Sequence, residues 1–128
     1  MLASSPAFGS FSTDSVEKAA AFYGDVLGID TQVDDAMGPM LTLSFPNGAR
    51  FLVYEKDDHA PATHTVLMLP VEDVTATARR LVEAGVRLEQ LEWTDEDGVA
   101  RDPNGEMPET AWFKDPAGNW ISILAVDA

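Results

Sequence analysis

No cysteine occurs anywhere in the 128 residues, and that absence removes disulfides, thiolate nucleophiles and zinc–thiolate centres together. Positive charge is nearly as scarce. Eight Lys and Arg stand against 22 Asp and Glu, a formal net charge of -14. Nucleic acids and anionic membranes attract clustered basic side chains, so neither is expected as a partner. Continuous apolar runs are also missing: nothing approaches the roughly 20 residues a membrane-spanning helix needs. The opening segment MLASSPAFGS has no basic stretch leading into an apolar one, which makes a cytoplasmic location the expectation. Histidine is limited to two residues, His59 and His64. There is no glycine-rich phosphate loop and no Gly-x-Ser-x-Gly nucleophile elbow.

What remains is an ordinary globular composition with alternating helix and strand signals. Asp14 with Glu17 three residues on has the form of a capping box. Val16, Ala19, Ala20, Tyr23, Val26 and Leu27 then recur at helical spacing until Gly28. A second helix is predicted after Asp73, with Val74, Thr77, Ala78 and Leu81 as its apolar stripe and Gly85 as its stop. Between the helices, Leu41, Leu43 and Phe45 alternate, Pro46-Asn47-Gly48 reads as a hairpin turn, and ARFLVYE returns. VRLEQLEW, after the second helix, reads as a strand whose phase shifts near Gln90, as at a bulge.

The two helices are offset by about 60 residues, each preceded by a strand and followed by about three. The fold class is therefore α+β: two βαβββ repeats, residues 1–60 and 61–128. Neither half buries enough surface to stand well alone. Packed side by side they make a continuous curled mixed sheet with helices on its outer face and a trough on the other. The last strand, WISIL after the turn Asp115-Pro116-Ala117-Gly118-Asn119, is apolar on both alternating faces apart from Ser122. Helices over one face and a trough against the other explain that.

Three segments, FSTDSVEKAAAFYGDVLGI, VEDVTATARRLVEAGV and WFKDPAGNWISIL, together resemble the vicinal oxygen chelate superfamily: the glyoxalases, bleomycin resistance proteins and extradiol dioxygenases. The resemblance covers nearly the whole chain. It implies the βαβββ fold, a homodimer, and in metal-dependent members a divalent ion held by His, Gln or Glu in the trough. Carried onto this sequence, the ligand positions fall on Ala7, on Leu52 or Val53, on Val66 and on Ser122. None has a side chain that ordinarily ligates a divalent ion. No cofactor is expected on that ground, and a divalent metal at a shifted site around His64 is the less favoured alternative.

Two further features invite a functional reading. His64 lies two residues from Val66, so a regular strand would point it into the trough. The acidic stretch Thr94 to Thr110 fails the EF-hand pattern, because Asp95 and Asp97 meet Gly98 without a third ligand. It reads as a solvated connection, or as a lid carrying Glu106, Met107 or Glu109 over the trough. Of the three tryptophans, Trp120 shares the face of Ser122, while Trp112 and Phe113 must face opposite ways. The expected ligand site is thus His64, Trp112, Trp120, Ser122, Tyr54, Met68, Phe11 and Glu106, with no catalytic residue assigned. Aromatic walls suit flat, partly apolar molecules. The functional expectation is small-molecule binding without catalysis, like the drug-sequestering resistance proteins the resemblance includes. The alternatives are a metal-dependent lyase, isomerase or dioxygenase, and a dimeric interaction module without ligand.

Overall fold

Ser15, not Asp14, starts the first helix. In the computed structural model, which describes residues 1–126, the Ser15 hydroxyl accepts from the Lys18 N–H at 3.2 Å. The Glu55 carboxylate, arriving from a distant strand, accepts from the Val16 N–H at 2.9 Å. Two orphan donors of the helix end are thereby satisfied, one locally and one from across the sheet. The helix α1 (Val16–Ala20) then widens into a π-helical turn, Ala21–Val26. Leu27 N–H bonds Phe22 C=O at 3.0 Å, five residues back. The extra residue per turn rotates the expected stripe. Val16, Ala19 and Tyr23 stay buried, while Val26, expected inside, is 39% exposed. Gly28 ends the helix with φ +74°, a backbone conformation that only glycine adopts freely.

The chain divides into two compact units, Met1–Pro61 and Ala62–Ala128. In the first, β1 (Gly9–Thr13), β2 (Asp30–Asp34), β3 (Met40–Ser44) and β4 (Arg50–Glu55) form a sheet in the order β1-β4-β3-β2. β1 and β4 run parallel and the rest antiparallel. Phe11, Val53 and Leu41 are register partners and all buried. They share the face that packs on Tyr23, whose ring meets Phe11 edge-on at 6.1 Å. The hairpin at Pro46-Asn47-Gly48 forms as the sequence predicts, with Asn47 Oδ1 accepting from Ala49 N–H at 3.0 Å.

The second unit repeats the order: β5 (Thr65–Val71), α2 (Val74–Glu83), β6 (Val99–Ala100), β7 (Thr110–Lys114) and β8 (Trp120–Ala125). Its sheet runs β5-β8-β7-β6, again with the first and last strands parallel. Strand pairing thus closes within each repeat as two four-stranded sheets, where one continuous sheet was expected. Asp73 caps α2 through Ala76 N–H at 3.0 Å, as predicted. Val74 and Ala78 of α2 and Leu67, Phe113, Ile121 and Ile123 of the sheet are buried.

The predicted strand at 86–93 does not form. Leu88 makes a single bridge to Phe113, and the chain then turns back on the Thr94 hydroxyl, which accepts from Leu91 N–H at 2.8 Å. The second strand of the repeat is instead the two-residue β6, inside the stretch that reads in sequence as a solvated connection or lid. Val99, fully buried beside Gly98, is what seats it.

Candidate functional site

Alternation along β8 sets the site. Ile121 and Ile123, both buried, lie on one face of β8, so Trp120, Ser122 and Leu124 lie on the other. Opposite Ser122 stand Trp112 on β7 and Met68 on β5. Opposite Trp120 stand Lys114 and Thr65. An open cleft of about 280 Å³ lies on this face. Its walls are Trp93, Trp112 and Trp120 with Leu91, and its polar rim is His64 between Thr63 and Thr65. The Trp93 and Trp112 rings meet edge-to-face, centroids 6.2 Å apart at 85°. Lys114 Nζ lies 4.7 Å above the Trp120 ring and 3.3 Å from the Glu89 carboxylate. The ammonium therefore fixes the indole by a cation–π contact.

The geometry sorts the expected ligand residues. His64, Trp112 and Trp120 line one cleft; Ser122, paired with Trp112, and Met68, paired with Ser122, share the sheet face beside it without lining it. The route by which His64 arrives differs from the sequence reading: the β5–β8 register shifts between Thr65 and Leu67, so a bulge breaks the simple alternation through Val66. Phe11, expected in the binding wall, is a core residue of the first unit under Tyr23. Tyr54 is in the first unit too, on the sheet face turned away from that core. Glu106 is exposed on its loop and does not line the cleft. His59 is half-buried in the first unit, with Nδ1 2.7 Å from the Ser12 hydroxyl.

Sequence reasoning left out Trp93, because it sits in a segment misread as a strand. At 62% exposure it is an indole offered to solvent, and such a residue beside a second tryptophan is a binding signal. A larger groove of about 510 Å³ runs along α2, but Arg79, Glu83, Arg87, Glu96 and Asp97 wall it. Ala78, Val82, Val86, Leu88 and Val99 line it too, so it is a groove of mixed apolar and charged character beside the helix.

The acidic stretch is a built structure. Arg101 donates to Asp95 at 2.8 Å, to Glu109 at 2.8 Å and to Thr75 of α2 at 2.8 Å. Asp102 accepts from the N–H groups of Asn104, Glu106 and Met107. The Arg101 bond holds the Asp95 carboxyl below its ordinary value of 3.8. The backbone donors, Asn104 N–H first, do the same for Asp102. A carboxylate whose folded value is lowered stabilises the fold above its unfolded value, and loses that contribution as pH falls through the folded one. The stretch is therefore expected to loosen only below pH 3.8. Carbon-13 NMR titration should show Arg101→Met raising the Asp95 value toward 3.8 while leaving Asp102 low.

Comparison with known proteins places this arrangement. The family model of the glyoxalase/bleomycin resistance protein/dioxygenase superfamily matches residues 9–123. The chain belongs to this superfamily. No curated protein sequence matches it significantly. Among solved structures, UcmS2 superposes with a TM-score of 0.71 at 22% identity, covering 93% of this chain and 96% of that one. TnmS3, an antibiotic-binding protein from Streptomyces sp. CB03234, gives 0.69 at 24%, covering 94% and 96%. A lactoylglutathione lyase from Agrobacterium tumefaciens gives 0.69 at 19%, covering 96% and 95%. At these identities the likeness shows the shared fold.

Metal-dependent members of the superfamily need a donor set, and the residues here do not fit one. Ala7, Leu52, Val53 and Val66 offer only alkyl groups, and Ser122 offers a neutral hydroxyl. Among the described residues, no three His, Cys, Asp or Glu side chains cluster to hold an ion. Among the described residues, none that lines the tryptophan cleft beside His64 is acidic. The described helices include none long and apolar enough to cross a membrane.

Proposed function

We propose that this superfamily member binds a small, flat, partly apolar organic molecule in the tryptophan cleft of its second unit, and does so without a metal and without catalysis. The observation that carries this reading is the convergence of Trp93, Trp112 and Trp120 on one cleft rimmed by His64, Thr63 and Thr65. Indole faces supply stacking area, and a few polar groups fix orientation. The volume of about 280 Å³ is just below the roughly 300–1,000 Å³ usual for ligand pockets, which suits two or three fused rings. The fold shared with an antibiotic-binding protein is consistent with this use.

These three are all the tryptophans the chain has, so its whole indole emission reports on the cleft. Titration with a panel of polycyclic quinones, flavonoids and anthracyclines should give saturable quenching, unchanged by EDTA. A panel that leaves emission unsaturably altered or untouched removes the reading. Requirement for an added divalent ion would favour the metal-dependent alternative. The homodimer implied by the family is a second element of the proposal. Met37 and Val33, exposed on and beside the edge strand β2, favour a further contact, and sedimentation velocity across concentration tests it.

A further inference from the structure

The Ser122 hydroxyl is fully buried and has no hydrogen-bond partner among the described residues. A buried, unpaired hydroxyl destabilises a fold, and native structures seldom keep one without use. Its position suggests the use. Ser122 lies on the same sheet face as Trp112 and Trp120, two walls of the cleft, with Trp112 directly across on β7. On the other side its register partner is Met68, 59% exposed. A methionine is unbranched, with three rotatable bonds, and changes rotamer readily. The strand on that side of the hydroxyl therefore carries a side chain that is free to change position.

We propose that Ser122 is a specificity determinant of the cleft, donating to a carbonyl oxygen on the edge of an aromatic ligand when Met68 swings away. This rests on the cleft being the binding site. A carbonyl is the favoured partner because it satisfies the hydroxyl and brings no hydrogen that would itself need an acceptor among indole and thioether. A phenol would pair one hydrogen and leave another unpaired. The ligand class is thus an aryl ketone or quinone. A site with a buried donor rejects an analogue lacking the acceptor, because the donor then stays unpaired.

Equilibrium dialysis with matched pairs, 9-fluorenone against fluorene and 1-tetralone against tetralin, tests this. Wild-type protein should bind each ketone about fivefold more tightly than its hydrocarbon, the factor one net hydrogen bond supplies. Ser122→Ala should bring each pair within about twofold and raise the melting temperature of the free protein, since the unpaired group is gone. Met68→Ala should tighten ketone binding and leave the hydrocarbons nearly unchanged. Equal binding within the pairs by wild type, or an unaltered ratio in Ser122→Ala, overturns the role of Ser122 while the cleft stands. A lower melting temperature for Ser122→Ala would mean the hydroxyl is satisfied within the protein, and overturns it equally. Failure of all four probes to bind removes the cleft itself, and this inference with it.

Discussion

Asp115→Ala is expected to lower the stability of the protein by about 3 kcal/mol, the largest effect of any single polar substitution outside the cleft. Asp115 is only 5% exposed. Its Oδ1 accepts from Ala117 N–H at 3.0 Å and Asn119 N–H at 2.9 Å, and its Oδ2 accepts from Asn119 Nδ2 at 3.0 Å. Backbone bonds Asp115 N–H to Asn119 C=O and Gly118 N–H to Asp115 C=O close the same turn, each at 3.0 Å. Alanine removes the acceptor shared by two backbone N–H groups and the Asn119 amide at a buried position, and hydrogen bonds to a charged acceptor are the stronger kind. Because the turn fixes where β8 begins, the damage reaches the register that sets Trp120 opposite Lys114. Asp115→Asn keeps the Oδ1 acceptor and replaces the Oδ2 acceptor by a donor facing Asn119. It should cost about half as much. Urea denaturation followed by far-UV circular dichroism distinguishes the two, and equal midpoints for Asp115→Ala and wild type would refute the argument.

Much of this was legible in the residues and some was not, for identifiable reasons. Helix α2 was readable because every local signal agrees: Asp73 caps, the apolar spacing is regular and Gly85 stops. Helix α1 was readable in existence but not in face, since nothing in AFYGDV announces a π-helical turn, and that turn moves Val26 outward. The cap was misplaced by one residue because Asp14 and Ser15 are both good caps locally. Glu55, which decides the matter by reaching Val16 N–H, is 39 residues away.

The binding face shows the same division. Period-two alternation in WFKDPAGNWISIL placed Trp112, Trp120 and Ser122 together, because both strands are regular and the turn between them is short. It misassigned Phe11 because alternation gives two faces without saying which one the helix covers; the Tyr23 contact settles that. Trp93 and the short strand β6 were hidden for a different reason. A two-residue strand and a turn held by one threonine hydroxyl lie below the length at which periodicity carries information.

Trp112→Ala should reduce binding of flat aromatic ligands by about 30- to 100-fold, which corresponds to about 2–3 kcal/mol. The indole is a wall of the cleft, the edge-to-face partner of Trp93, and the register neighbour of Ser122. Its removal takes away stacking area and also frees the exposed Trp93 ring, which then must be ordered by the ligand at its own entropic cost. Stability should fall by only about 1–2 kcal/mol, since the ring is half-buried on a face the core does not use. Trp112→Phe preserves a flat ring against Trp93 and should lose no more than about fivefold. Trp120→Ala removes a second wall together with the cation–π contact from Lys114, so it too should weaken binding more than stability. The discriminating measurement is the pair of readouts on each variant: affinity by equilibrium dialysis and unfolding midpoint by circular dichroism. A cleft that binds through its indoles gives large affinity losses with small midpoint shifts. If affinity and midpoint fall in proportion across the three variants, the tryptophans act only as packing, and the ligand, if bound, sits elsewhere in the second unit or in the first.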